Sequence, residues 1–226
     1  MPFTQKAIDF LFENRLHDSR DWFREHKADY QQYVIEPLSE LVLKAADVMH
    51  DIDPTMLCDP KKISRIYCDA RYSKTAVFRD TVWYTFSRPR ESAYDGHPGF
   101  YFSIGAGGIS YGCGYYCATG AIKTAARELI LADDPSFIAA EEAFSSQSRF
   151  QMYGDVYKRS KYPDQPAEKQ LWLNRKEFGV CYDTNDPKEM FSPSLFDRVC
   201  EDYSTLAPLY DFYIRAEQRA YEQEIK

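Results

Sequence analysis

The chain has 226 residues, 44% hydrophobic and 16% aromatic, enough to build a sizeable core in one large domain or two small ones. Its formal net charge of −7 argues against non-specific nucleic-acid binding over the whole surface, while leaving room for a local basic groove. No apolar run approaches the roughly 20 residues of a membrane-spanning helix, so no membrane partner is expected.

Thr4 is placed to cap a first helix, with Ala7, Ile8, Phe10, Leu11 and Phe12 as a broad apolar face. The His17-Asp-Ser-Arg stretch breaks it, and Asp18 or Ser19 can cap a second helix through Trp22, Phe23, His26, Tyr30 and Tyr33. Pro37 falls inside this pattern and either kinks the helix or opens the next one. The apolar stripe Leu38, Leu41, Val42, Ala45 and Val48 runs on until the Asp51-Ile-Asp-Pro54 stop. Residues 65–74 read as a strand, 82–87 as another, and 88–90 and 93–98 as loop. Residues 99–105 and 109–116 read as a hairpin around Gly105-Ala-Gly-Gly108, with Gly112 and Gly114 marking a bulge or a close approach.

Thr119 caps a helix with Ile122, Ala125, Ala126, Leu129 and Ile130 inward, and Asp134-Pro135 opens another with Phe137, Ala140 and Phe144. A strand over 150–157, a short helix over 166–174 and a strand over 178–182 follow. The chain closes with a long helix from Ser192-Pro193, which Pro208 interrupts. Runs of helix, then strand, then helix predict an α+β fold: a central antiparallel or mixed sheet, with strands from about Ile63 to Tyr182, flanked by helices from both chain ends. No linker, repeat or low-complexity segment is visible, so one domain over 1–226 is expected.

The most informative stretch is Arg65-Ile-Tyr-Cys-Asp-Ala-Arg-Tyr-Ser-Lys74. As a strand it puts Arg65, Tyr67, Asp69, Arg71 and Ser73 on one face and Ile66, Cys68, Ala70 and Tyr72 on the other. A helix is the alternative, with Arg65 and Asp69 meeting at i,i+4; the β-favouring Ile63, Ile66, Tyr67 and Tyr72 favour the strand. From Lys61 to Arg90 there are eight cations (61, 62, 65, 71, 74, 79, 88 and 90) and two anions (69 and 80), a surplus of six in an acidic chain. Guanidinium forks match carboxylate and phosphate geometry, so Arg65, Asp69, Arg71, Ser73, Lys74 and Arg79 are the candidate ligand-binding residues. The competing reading is a structural Arg–Asp–Arg network.

Chemistry is less legible. Ser73 has no base beside it, and the four histidines show neither triad nor metal spacing; His97, in a Gly/Pro loop, is the one to watch. Cys113 and Cys117 form a Cys-x3-Cys pair with no second pair or nearby histidine, so no metal site is expected, and no cofactor motif is present. The first residues, Met-Pro-Phe-Thr-Gln-Lys, lack the features of a secretory signal; the six cysteines are therefore expected reduced, in a cytoplasmic protein. The residues leave three readings: an anion-binding protein, including an enzyme for a phosphate- or carboxylate-bearing substrate at Arg65, Asp69 and Arg71; a non-catalytic nucleotide or single-stranded nucleic-acid binding module; and a structural or partner-binding protein.

The run Trp22-Phe23…Tyr30…Pro37, the 65–74 stretch, and Gly112-Cys-Gly114-Tyr-Tyr…Ile122…Arg127 together resemble the domain of unknown function 2461 family, over most of the chain. The resemblance implies an α+β domain with no established activity, and it carries over Arg65, Asp69, Arg71, Ser73 and Lys74. This chain departs from the family pattern at Cys68, where an arginine is usual, at Thr75, at Val77-Phe78 and at Arg79, where a lysine is usual; Ala118 lies near a usual proline.

Overall fold

The computed structural model describes residues 2–69, 71, 73, 75–89 and 96–224. The fold is α+β. Among the described residues the strands form one five-stranded antiparallel sheet in the order β1-β2-β3-β5-β4. These are β1 (Thr81–Ser87), β2 (Pro98–Gly105), β3 (Gly108–Tyr115), β4 (Gln151–Met152) and β5 (Phe178–Thr184). Ahead of the sheet come α1 (Gln5–His17), α2 (Arg20–Glu25), α3 (Lys27–Tyr30), α4 (Glu36–Lys44) and α5 (Ala46–Ile52). Within and after it come α6 (Gly120–Leu131), α7 (Pro135–Ser145), α8 (Ala167–Leu173), α9 (Pro187–Met190), α10 (Leu195–Thr205) and α11 (Ala207–Glu224).

Local chemistry sets most of these boundaries. The α1 helix buries Ala7, Phe10, Leu11 and Asn14, a 3–4 spacing that leaves Phe12 exposed, contrary to its expected place on the apolar face. Asp18 ends α1 in the left-handed region at φ 44°, its N–H donating to the Asn14 carbonyl. Ser19 caps α2 through Trp22 N–H, Thr119 caps α6 through Ile122 N–H, and Asp134 caps α7 through Ser136 N–H. Pro37 has no N–H to give the preceding turn. A π-helical turn, Gln31–Ile35, widens the backbone ahead of it, and α4 starts with Pro37 in its first turn. Pro208 likewise falls in the first turn of α11.

Of the expected strands, the one over 65–74 does not form among the described residues, and the one over 150–157 is cut short. In place of a strand over 65–74 there is an isolated antiparallel bridge, Tyr67 with Phe78, and then a turn. Asp69 is the reason: its carboxylate accepts the Arg71 N–H at 2.9 Å, and its carbonyl accepts the Ser73 N–H at 3.0 Å, which curls the chain. The sheet therefore begins at Thr81, not near Ile63. The strand expected over 150–157 shrinks to β4, paired Gln151 with Cys181 and Met152 with Val180, because Gly154 turns the chain at φ 88°. Ala70, Tyr72, Lys74, Arg90 and residues 93–95 of the expected loop lie outside the described residues.

The chain divides into two compact units. The first is Met1–Phe86, Tyr101–Tyr111 and Asp183–Asp202. Its core stacks Phe3 on Phe102 at 5.7 Å and sets Phe196 edge-on to Phe3, while Phe10, Phe23, Tyr30 and Phe78 form a second aromatic group. The second unit is Ser87–Phe100, Gly112–Tyr182 and Tyr203–Lys226. There α11 packs on α6 and α7, and Trp172 of α8 meets Phe137 of α7 and Phe212 of α11 edge-on. The expected close approach in β3 is real: a Cβ on Gly114 would stand 2.5 Å from the Tyr153 hydroxyl, and one on Gly179 would stand 2.1 Å from the same ring.

Candidate functional site

The site is built in the first unit from two short segments side by side. Ser64 N–H donates to the Trp83 carbonyl at 2.8 Å and its hydroxyl accepts the Trp83 N–H at 2.8 Å. Arg79 N–H donates to the Ile66 carbonyl, and Cys68 N–H to the Val77 carbonyl, each at 2.8 Å. Asp18, at the end of α1, fixes the outer segment: its carboxylate accepts the N–H groups of Val77 at 3.0 Å and Phe78 at 2.9 Å. Arg15 completes that anchor, with Asp18 at 3.6 Å and Asp80 at 2.5 Å.

Arg71 forks onto Asp69. Its Nε lies 3.0 Å from Oδ1 and its Nη2 lies 2.6 Å from Oδ2. These side-chain hydrogen bonds, then the Arg71 backbone N–H, hold the Asp69 carboxyl down at about 2, with the field of Arg79 adding to them. Asp69 is therefore a carboxylate across the physiological range and a weak base. Arg79 is fixed twice: Nε donates to the Tyr67 carbonyl at 3.0 Å, and the guanidinium sits 4.7 Å over the Trp83 ring. Its two terminal nitrogens make no hydrogen bond or ion pair among the described residues.

The turn thus gathers Asp69, Arg71 and Arg79 and leaves Arg65 aside. The single strand face expected to carry Arg65, Asp69, Arg71 and Ser73 is not formed; Arg65 is exposed and makes no ion pair among the described residues. The Ser73 hydroxyl is spent on the turn, donating to the Ala76 carbonyl at 3.1 Å and accepting the Ala76 N–H at 3.2 Å. Lys74 lies outside the described residues. Two open hollows of the same unit lie elsewhere. One, about 500 Å³, is lined by Thr81, Ser103, Ser110 and Thr184 among others; the other, about 420 Å³, by Lys6, Tyr33, Glu36 and Glu40 among others.

A second polar cluster, in the second unit, was not anticipated. Glu217 of α11 is only 4% exposed. One carboxylate oxygen accepts the Tyr115 hydroxyl at 2.7 Å, and the other accepts from Arg88 Nη2. His97 Nδ1 stands 3.7 Å from the same oxygen as Tyr115. Burial, then the hydrogen bond to this carboxylate, pushes the Tyr115 phenol well above its ordinary value. The group forms because Arg88 follows β1, His97 precedes β2 and Tyr115 ends β3, so neighbouring antiparallel strands bring one end together. A signal was available: Tyr213, Ala216, Glu217 and Ala220 recur at helical spacing, and Glu217 is the charged member of that buried stripe.

Among the described residues no group of His, Cys, Asp or Glu is arranged to hold a metal, and no helix is long and apolar enough to cross a membrane. A family model described as "Conserved hypothetical protein (DUF2461)" matches residues 6–212 of the 226. The chain belongs to the DUF2461 family. The matched span of this DUF2461 protein contains all of residues 65–79 and stops short of Glu217. A search of curated proteins finds no match to it.

Proposed function

We propose that the protein binds a small anionic ligand, bearing phosphate or carboxylate, at the turn formed by Asp69, Arg71 and Arg79, with Arg65 close by in sequence. The observation that carries this reading is Arg79. Its guanidinium is held rigid by the Tyr67 carbonyl and the Trp83 ring, and it keeps both terminal nitrogens unused among the described residues. A pre-positioned planar fork loses little freedom when it takes an oxyanion. Arg71 and Arg79 together exceed the single charge of Asp69, so the turn keeps a surplus of positive charge.

Binding is favoured over catalysis. A carboxyl held at about 2 is a poor general base at neutral pH, and the Ser73 hydroxyl is already committed to the turn. On the same proposal the protein sits in a reducing compartment such as the cytoplasm, where its six cysteines would stay unpaired.

Calorimetric titration of inorganic phosphate and sulfate into the parent, Arg79→Lys and Arg71→Lys proteins tests the proposal. A hydrogen bond to a charged group is worth about 1.5–3 kcal/mol, so Arg79→Lys is expected to weaken the anion roughly ten- to a hundredfold at little change in Tm. Absence of anion binding to the parent at millimolar concentration, or equal binding by Arg79→Lys, overturns it.

A further inference from the structure

Close in sequence to Arg79, whose terminal donors are unused among the described residues, lies a feature that a bare phosphate or carboxylate would leave idle. Tyr67 is 40% exposed, a large share for an aromatic side chain beside a packed core. Its ring is nonetheless braced from within: Phe78 lies 4.9 Å away at 36°, and Phe23 lies 5.5 Å away at 70°. The ring therefore shows part of its surface to solvent while neighbouring rings hold its position. The carbonyl of this same residue accepts Arg79 Nε, so the anion donors and the exposed ring are tied to one residue. Guanidinium for phosphate and a fixed aromatic surface for a base are the two requirements of nucleotide recognition.

We infer that the ligand is a nucleoside monophosphate, its phosphate on Arg79 and its base stacked on Tyr67. The inference rests on the anion-binding reading and adds the ligand class. A single nucleotide fits better than a polynucleotide: a strand would carry its phosphates over a chain whose net charge is −7, away from the short basic turn.

The test is calorimetry on the full chain with adenosine 5′-monophosphate, ribose 5-phosphate and inorganic phosphate. A stacked base adds roughly fivefold or more in affinity, so the nucleotide is expected to bind at least about fivefold tighter than ribose 5-phosphate. Tyr67→Leu, which keeps an apolar side chain against Phe23 and Phe78, removes that preference; Tyr67→Phe retains it. Equal affinity for the two sugar phosphates, or a preference that survives Tyr67→Leu, overturns the inference while leaving anion binding standing. Affinity for oligoadenylates that climbs steeply with length also overturns it, in favour of a nucleic-acid strand. If none of the three probes binds, the anion-binding reading itself fails.

Discussion

Replacing Glu217 by glutamine keeps the size of the side chain and an oxygen for the Tyr115 hydroxyl, and removes only the charge. The Arg88 guanidinium, 27% exposed, then faces a neutral amide where the Glu217 carboxylate stood. Breaking a buried ion pair by neutralising one partner costs about 3–5 kcal/mol, and the partial exposure of Arg88 places the expected loss near the lower figure, about 3 kcal/mol. That is a large share of the about 5–15 kcal/mol by which a domain is stable. For a chain of this length it corresponds to a fall in Tm of roughly 6–12 °C. Tyr115→Phe removes one hydrogen bond to the carboxylate and should lose about 1.5–3 kcal/mol. Because the two side chains share one bond at 2.7 Å, the double variant should lose less than the sum of the singles. Urea unfolding of the four proteins, followed by far-ultraviolet circular dichroism, measures all three quantities. A Glu217→Gln protein within about 0.5 kcal/mol of the parent would refute the picture of a buried, charge-paired carboxylate.

Alkaline pH should destabilise the fold. Burial raises Tyr84 to about 12, while an unfolded tyrosine titrates near ~10. The folded state therefore holds this proton longer than the unfolded state does. The associated stability is present below about pH 10 and is lost as pH rises towards 12; urea midpoints at pH 9 and 11 check this, and Tyr84→Phe should flatten the slope. Acid should release the turn in the opposite sense: the depressed Asp69 carboxyl keeps its hydrogen bonds with Arg71 above about pH 4 and loses them as pH falls through about 2, which the carboxyl carbon shift of Asp69 reports. Gly179→Ala drives a methyl to within 2.1 Å of the Tyr153 ring, an overpacking expected to cost about 1–3 kcal/mol by the same urea assay.

The helices were legible because their signals are local. Thr119 and Asp134 do in space what a capping residue before an apolar stripe announces in sequence, and the five inward residues expected for α6 are its five buried ones. The hairpin was legible from Gly105-Ala-Gly-Gly108. The 65–74 stretch misled because period-two alternation says nothing of a carboxylate reaching its own backbone. Asp69 takes the Arg71 N–H, and the alternation that promised a strand ends in a turn. That turn is also why the Asp69 and Arg71 pairing survived while Arg65 was left out. The brace on Arg79 was not readable in the same way, since the Tyr67 carbonyl is brought to it by hydrogen bonds between two separate segments of the chain. Helical spacing marks Glu217 as the charged member of a buried stripe but does not name its partners Arg88, His97 and Tyr115, which other segments bring to it.

On the proposed function, the terminal nitrogens of Arg79 take an anion. The most direct measurement follows the arginine side-chain nitrogen resonances by nuclear magnetic resonance during titration with inorganic phosphate, with Arg79 assigned from its loss in Arg79→Lys. A saturable shift of the Arg79 signal is expected, larger than that of Arg15, whose guanidinium is already paired with Asp18 and Asp80. An Arg79 signal that stays in place to the end of the titration, with phosphate at millimolar excess, would contradict it.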